Sequence, residues 1–324
     1  MDSKKIYTPR RSFFQNKSIL IMGSTGKGKT SIIRYILRQL DDKDTRFYLF
    51  APELHELREY FHQSCLRTQE QVTADEFDKI WNIQETFKKM KNVIQKHRGK
   101  IIELIQRVNP EASYNLKAHI DRITSSGKSK SITNECVSYI CRRYVRENIT
   151  SLGRLQMNED EKLLIKTANV SGYKCVLVLD DISGVLKSFC KSGKNGGEQI
   201  MTDICTRCRH NDLTIIFGVH SAITTPTICR SNSRMLIWCD PGIFCDSKKQ
   251  KGFPDCTRSL TQVSSYFPAN MKGRKILYDR DLDKLLQIEI PFVDTLPVVG
   301  VPAGNAEDKK EDNSIQSLRK LFKR

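Results

Sequence analysis

The 324-residue sequence has no apolar run near the roughly 20 residues that a bilayer-spanning helix needs, which excludes an ordinary membrane helix. Its first residues, "MDSKKIYTPRRSFFQNK", lack both the apolar centre and the small-residue cleavage site of a secretory leader. The 11 cysteines form no disulfide framework: they are scattered, and Cys175, Cys190 and Cys229 lie in or beside apolar segments, as reduced core thiols do. Cys205-Thr-Arg-Cys208 has zinc-site spacing, but no second pair follows at finger distance, only the scattered Cys239, Cys245 and Cys256. Two thiols at i, i+3 on one helix face read as core. Internal repeats are also absent.

Acidic residues are in deficit. There are 54 Lys and Arg against 37 Asp and Glu, a net charge of +17, and residues 88–100, "KKMKNVIQKHRGK", contain no acid at all. An excess this large points to a polyanionic partner, nucleic acid before anionic membrane; the alternative is a well-solvated lysine-rich surface. Hydrophobic content of 39% and charged content of 28% suit a soluble protein with a buried core. An intracellular, soluble, basic protein without a membrane partner is expected.

Residues 22–31, "MGSTGKGKTS", follow the apolar run 18–21, which with Met22 reads as a strand, and precede a helix expected over about 30–40, with Ile32, Ile33, Ile36, Leu37 and Leu40 at helical spacing. Gly23 to Thr30 satisfy G-x-x-x-x-G-K-[ST] in full. Glycines let consecutive backbone N–H groups turn inward as an anion nest, and the helix start adds its positive dipole end. The nucleotide-binding set is Gly23, Ser24, Thr25, Gly26, Lys27, Gly28, Lys29, Thr30 and Ser31, with Lys29 on the β- and γ-phosphates and Thr30 on Mg²⁺. "CVLVLDDIS" supplies a strand tip with two carboxylates, Asp180 to hold Mg²⁺ and Asp181 to orient or deprotonate the attacking water. "TIIFGVHS" ends another strand, where His220 either senses the terminal phosphate or merely caps the strand.

Further strands are expected in "RFYLFAPE", in 233–240 and, as short pieces, in "GRKILYDRDLDKLLQIEIP". From about 74 to 164 the pattern is helical and basic, with Phe87, Met90, Ile94, Ile101 and Ile105 on one face, and a resumed helix carries Val137, Ile140, Cys141 and Tyr144. That block is too long for a strand-to-strand connection and reads as an insertion.

With those segments placed, the chain resembles the FtsK–HerA superfamily of DNA-pumping ATPases, most nearly the poxvirus-type genome-packaging branch. The resemblance rests on "GSTGKGKT", "VLVLDD", "RCRHNDLTIIFGVHS" and "TPTICRSNS", in that order, and covers 17–55 and 174–240. The family usually has glutamine where this chain has His220. The resemblance implies an α/β P-loop NTPase sheet of the additional-strand, RecA-like type: parallel, flanked by helices, with the strand ending at His220 between the loop strand and the acidic strand. The long helical basic insertion then falls between the second and third core strands. Segments 1–55 and 171–300 form the ATPase core, 56–170 the insertion, and 301–324 a charged linker and basic tail. It also implies ATP and Mg²⁺ as ligands, a homo-oligomeric ring on double-stranded DNA without sequence preference, and packaging of viral DNA with capsid proteins as partners, in the host cell nucleus or viral assembly site, or in the virion. In such rings an arginine enters the neighbour's site: Arg230 is the first candidate, Arg207 or Arg209 the second. Lys88, Lys89, Lys91, Lys96, Arg98 and Lys100 become candidates for gripping the DNA backbone. A replicative helicase, a plasmid-type DNA pump and a nucleotide-regulated scaffold remain alternatives.

Overall fold

The computed structural model describes residues 6–42, 45–108, 141–142, 145, 156–167, 174–191, 196–221, 224–247, 253, 274–291 and 298–299. Their contacts divide them into a larger unit drawn from 1–84 and 171–303 and a smaller one drawn from 85–170.

The larger unit is built on eight strands: β1 (Ser18–Met22), β2 (Thr45–Ala51), β3 (Leu66–Thr68), β4 (Lys174–Asp180), β5 (Leu213–Val219), β6 (Met235–Trp238), β7 (Arg274–Asp279) and β8 (Lys284–Glu289). They lie in the order β3-β2-β4-β5-β1-β6-β7-β8. Every pair from β3 to β6 is parallel, while β7 and β8 add to the edge antiparallel. The expected position of β5, between the loop strand and the acidic strand, is the one observed.

Because the centre of a parallel sheet is covered on both faces, its strands read as unbroken apolar runs. All five residues of β1 and all seven of β5 are buried. Alternation along each strand then sorts them into two cores. Leu20, Met22, Leu177, Leu179, Phe217 and Trp238 face one side; Ile19, Ile21, Val176, Val178, Ile216 and Ile237 face the other. The second side is covered by α1 (Arg11–Phe14) and α2 (Lys29–Leu40), which brings Ile32, Ile33, Ile36, Leu37 and Leu40. The first side takes residues from the N-terminal part of α3 (Ala74–Lys96), which runs from the larger unit into the smaller.

In the smaller unit the described helices are the rest of α3, α4 (Arg98–Val108) and α5 (Glu159–Thr167). Phe87, Met90, Ile94, Ile101 and Ile105 are all buried, as their spacing predicts, together with Leu104, Met157 and Ile165. Asn158 and Glu161 cap α5 reciprocally: Glu161 N–H donates to Asn158 Oδ1 at 2.8 Å, and Asn158 N–H donates to Glu161 Oε2 at 3.2 Å. Glu161 also accepts from Lys96 Nζ at 2.7 Å and contacts His97 Nε2 at 3.0 Å. The Lys96 bond, assisted by His97 and the Asn158 amide against some desolvation, pulls the Glu161 carboxyl down to about 2.

Returning to the larger unit, α6 (Ser183–Lys191), α7 (Gly197–Arg207), α8 (Thr227–Asn232) and α9 (Pro241–Ser247) complete the first side with Leu186, Phe189, Met201, Ile204, Cys229, Ile243 and Phe244. Cys205 and Cys208 are buried there as core thiols, and Cys208 Sγ donates to the Cys205 carbonyl at 3.6 Å.

Three details differ from the sequence reading. β3 was not expected, because a three-residue strand carries too little pattern to read. The sheet is not wholly parallel, since the "KILYDRDLDKLLQIE" pieces close as an antiparallel hairpin on β6. Residues 56–84 group with the core and not with the insertion: Phe61, Cys65 and Leu66 join one face, Phe77 and Ile80 the other. Val137, Ile140, Tyr144 and the tail 301–324 lie outside the described residues.

Trp238 is fully buried at the tip of β6, 5.0 Å from the Phe244 ring edge-on and 6.3 Å from Phe253. Trp238→Ala is expected to cost about 3–5 kcal/mol, read as a lowered urea midpoint with the m-value retained.

Candidate nucleotide site

Parallel strands end on one edge of the sheet, and crevices at that edge bind ligands. Here the tips are tied side by side. Gly23 N–H donates to the Val219 carbonyl at 3.1 Å, Cys239 N–H to Met22 at 2.7 Å, and Asp181 N–H to Gly218 at 2.9 Å. Residues just past β1, β4, β5 and β6 are therefore neighbours, although they are far apart in sequence.

The loop leaves β1 at Gly23 and turns through Gly26 and Gly28, with φ of +74° and +83°. Only glycine adopts such angles without strain, and Gly28 is the N-cap from which α2 starts, one residue earlier than expected. Ser24, Thr25, Gly26, Lys27, Thr30 and Ser31 are exposed around this turn, so the nest opens to solvent at a helix N-terminus. Lys29 is the buried exception at 7% exposure. Its ammonium donates to the Gly23 carbonyl at 2.8 Å and to His220 Nδ1 at 2.9 Å. Burial lowers the Lys29 pKa, with Asp180 and Asp181 the strongest opposing charges.

His220 continues the chain: its Nε2 lies 2.8 Å from Asp181 Oδ1. An ammonium only donates, so Nδ1 accepts and the ring proton sits on Nε2, which donates to Asp181. Asp181 is held with φ +55°, unusual for a residue with a side chain. Asp180 sits opposite Gly218 across the sheet. A Cβ on Gly218 would come within 2.1 Å of Asp180 Oδ1, so that glycine makes room for the carboxylate. Burial pushes the Asp180 carboxyl up to about 6, aided by Asp181 and opposed by Lys29 and His220.

Mg²⁺ is the ion implied by this loop. The residues fit it: Asp180 is a half-buried carboxylate whose surroundings favour its neutral form, so a divalent charge stabilises its anion, and Thr30 is exposed in the first turn of α2. Among the described residues no group of three or more His, Cys, Asp or Glu is placed to hold a metal alone.

The structure thus brings together the loop, Lys29, Thr30, Asp180, Asp181 and His220. It does not bring Arg230 to a position from which it can enter a neighbour's site. Arg230 is 7% exposed, donates to Thr227 Oγ1 at 2.8 Å and lies 5.9 Å over the Phe253 ring. The sequence showed an arginine in a polar segment; burial against a ring 23 residues later was not visible there. Arg207 and Arg209, by contrast, are exposed. Lys88, Lys89, Lys91, Lys96, Arg98 and Lys100 belong to the smaller unit. Lys88 pairs with Glu85 at 3.9 Å and Lys100 donates to Gln156 at 2.7 Å, so part of this charge is used within that unit.

Two residues at this edge were missed. Asp240, past β6, accepts from Ser24 N–H at 2.9 Å and Ser24 Oγ at 3.0 Å. Lys275, on β7, donates to the Lys27 carbonyl at 3.0 Å. The available signal was a strand-terminal aspartate in "MLIWCD", but its meaning depends on β6 lying beside β1.

No protein-family model and no curated protein matches this chain. Several solved structures align loosely. EssC (ATPases 2 and 3) from Geobacillus thermodenitrificans is 11% identical with a TM-score of 0.39, covering 95% of this chain and 44% of that one. The genome packaging NTPase B204 from Sulfolobus turreted icosahedral virus 2 is 10% identical with a TM-score of 0.40, covering 86% and 97%. The pCW3 conjugation coupling protein TcpA is 14% identical with a TM-score of 0.40, covering 86% and 62%. This chain thus spans less than half of the EssC chain and under two thirds of TcpA. Likeness this loose assigns no activity or partner. By its own strand order, glycine loop and acidic strand tip the chain has a mostly parallel α/β sheet with a phosphate-loop turn at its edge.

Asp180 gives a pH signature. Its folded pKa of about 6 stands above the ordinary value of 3.8, so its stability contribution is full below about pH 4 and is lost as pH rises through about 6. Asp180→Asn is expected to raise the melting temperature at pH 7–8, with the gain shrinking to nothing near pH 4. Thermal melts across that range check it.

Proposed function

We propose that this chain is an ATP-hydrolysing motor of the FtsK–HerA type that moves double-stranded DNA. The observation that carries the reading is the contact chain Lys29–His220–Asp181 at the sheet edge, beside Asp180 and the loop. A triphosphate lies in the nest with backbone N–H groups on its phosphates, and the Lys29 ammonium turns from the Gly23 carbonyl to the β- and γ-oxygens. Thr30 and Asp180 would hold Mg²⁺, which supplies charge neutralisation at the phosphate oxygens. Asp181, its side chain 45% exposed, orients the attacking water and accepts its proton. His220 spans the two, so that the position of Lys29 is felt at the base that handles water.

DNA is the polyanion the +17 charge favours. Lys89, Lys96 and Lys100 are exposed on α3 and α4; Lys96 pairs with Glu161 and Lys100 donates to Gln156, so Lys89 is the one of the three best placed to meet a phosphate backbone. In a homo-oligomeric ring, Arg207 and Arg209 are better exposed than Arg230 to serve a neighbour's site, where such a group is worth about 10³–10⁵ in rate. Packaging of viral DNA into a capsid, in an infected host cell, is the specific use favoured by the four ordered motifs.

ATP hydrolysis with and without duplex DNA tests this. Hydrolysis is expected to rise with DNA and to vanish in Lys29→Ala and Asp181→Asn; absent DNA stimulation, with both variants unchanged, sinks the motor. For the basic face, replacing Lys89 by Ala should lower the slope of log affinity against log salt by about 1, equally for unrelated sequences.

A further inference from the structure

A loop with four consecutive exposed residues, Ser24 to Lys27, is costly to hold in one shape. Fixing each backbone residue opposes folding by about 1–2 kcal/mol. Within the loop, Lys27 N–H donates to the Ser24 carbonyl at 3.2 Å, which closes the turn without attaching it to the sheet. Attachment comes from outside, at the same two residues. Asp240 Oδ2 takes both the N–H and the hydroxyl of Ser24, while its Oδ1 accepts from Ile243 N–H at 2.9 Å at the start of α9. Lys275 Nζ donates to the Lys27 carbonyl and also to the Cys239 carbonyl at 3.3 Å. Both arms are anchored on the β6–β7 edge, which the fully buried Trp238 fixes in the core.

We propose that Asp240 and Lys275 form a two-armed clamp that positions the phosphate loop for nucleotide. The inference rests on the reading of that loop as a triphosphate site. The sign of Asp240's charge supports positioning over attraction. A carboxylate beside a phosphate nest repels the ligand, and its presence is explained by geometry: both oxygens are committed to donors. Desolvation raises its pKa, but the Ile243 and Ser24 donors, with Lys27 nearby, outweigh it and keep the anion. Lys275 offsets that charge from the other end of the turn. The clamp holds the loop's shape and touches neither water nor base, so it acts on affinity more than on turnover.

Calorimetric titration of the full chain with Mg²⁺ and ATPγS tests the proposal. Asp240→Ala and Lys275→Met are each expected to weaken binding about five- to tenfold, with kcat at saturating ATP within about twofold. Asp240→Asn, which keeps one accepting oxygen, falls between. The double variant loses less than the product of the single losses, because both arms fix one loop. Tighter binding by Asp240→Ala, as repulsion alone requires, overturns the clamp. So does unchanged affinity in both single variants, whatever their melting temperatures. Lys29→Ala in the same titration separates the two levels: where the clamp variants give an overturning result but the wild type binds and Lys29→Ala does not, the loop reading stands and only the clamp fails. If the wild type does not bind, both fail.

Discussion

Lys29 is a buried cation, and burying a charge is costly unless it is paired and hydrogen-bonded. Much of the site's geometry answers that requirement. The loop turns back so that the Gly23 carbonyl accepts from the ammonium; β5 ends where His220 can meet it; β4 ends in two carboxylates whose field opposes its desolvation. These groups hold Lys29 with acceptors that a phosphate can replace. Asp180 shows the converse, a half-buried carboxylate whose desolvation favours its neutral form up to about pH 6, and so suited to a divalent ion.

The sheet order makes the arrangement possible. With β5 between β1 and β4, the residue following β5, His220, meets both Lys29 and Asp181. With β6 on the other flank, Asp240 and Lys275 reach the loop from the side away from the chemistry. Lys29, His220 and Asp181 meet on one flank of the loop, and Asp240 and Lys275 hold it from the other.

What was legible in the sequence was contiguous. Gly23 to Thr30, Asp180-Asp181 and His220 each sit at the end of an apolar run, and the run announces the strand that positions them. Phe87, Met90, Ile94, Ile101 and Ile105 were legible for a similar reason, since helical spacing is local. What escaped was set by neighbours in the sheet or by partners far along the chain. Gly218 matters because Asp180 lies across it, and Asp240 because β6 pairs with β1. Lys96 meets Glu161 across 65 residues, and Arg230 is buried beneath Phe253. None of these has a local pattern. Strand β3 was missed for a simpler reason: three residues are too few for alternation to appear.

The most direct test of the account is the state of the His220 ring. Nitrogen NMR of ¹⁵N-histidine-labelled protein, with His220 assigned through His220→Gln, reads which nitrogen carries the proton and whether its partner changes. The account predicts a proton on Nε2 without nucleotide, and a change at Nδ1 with Mg²⁺ and ATPγS, because the β- and γ-phosphates draw Lys29 away from the ring. A proton on Nδ1 without nucleotide, or an Nδ1 signal unchanged by Mg²⁺ and ATPγS, would contradict it.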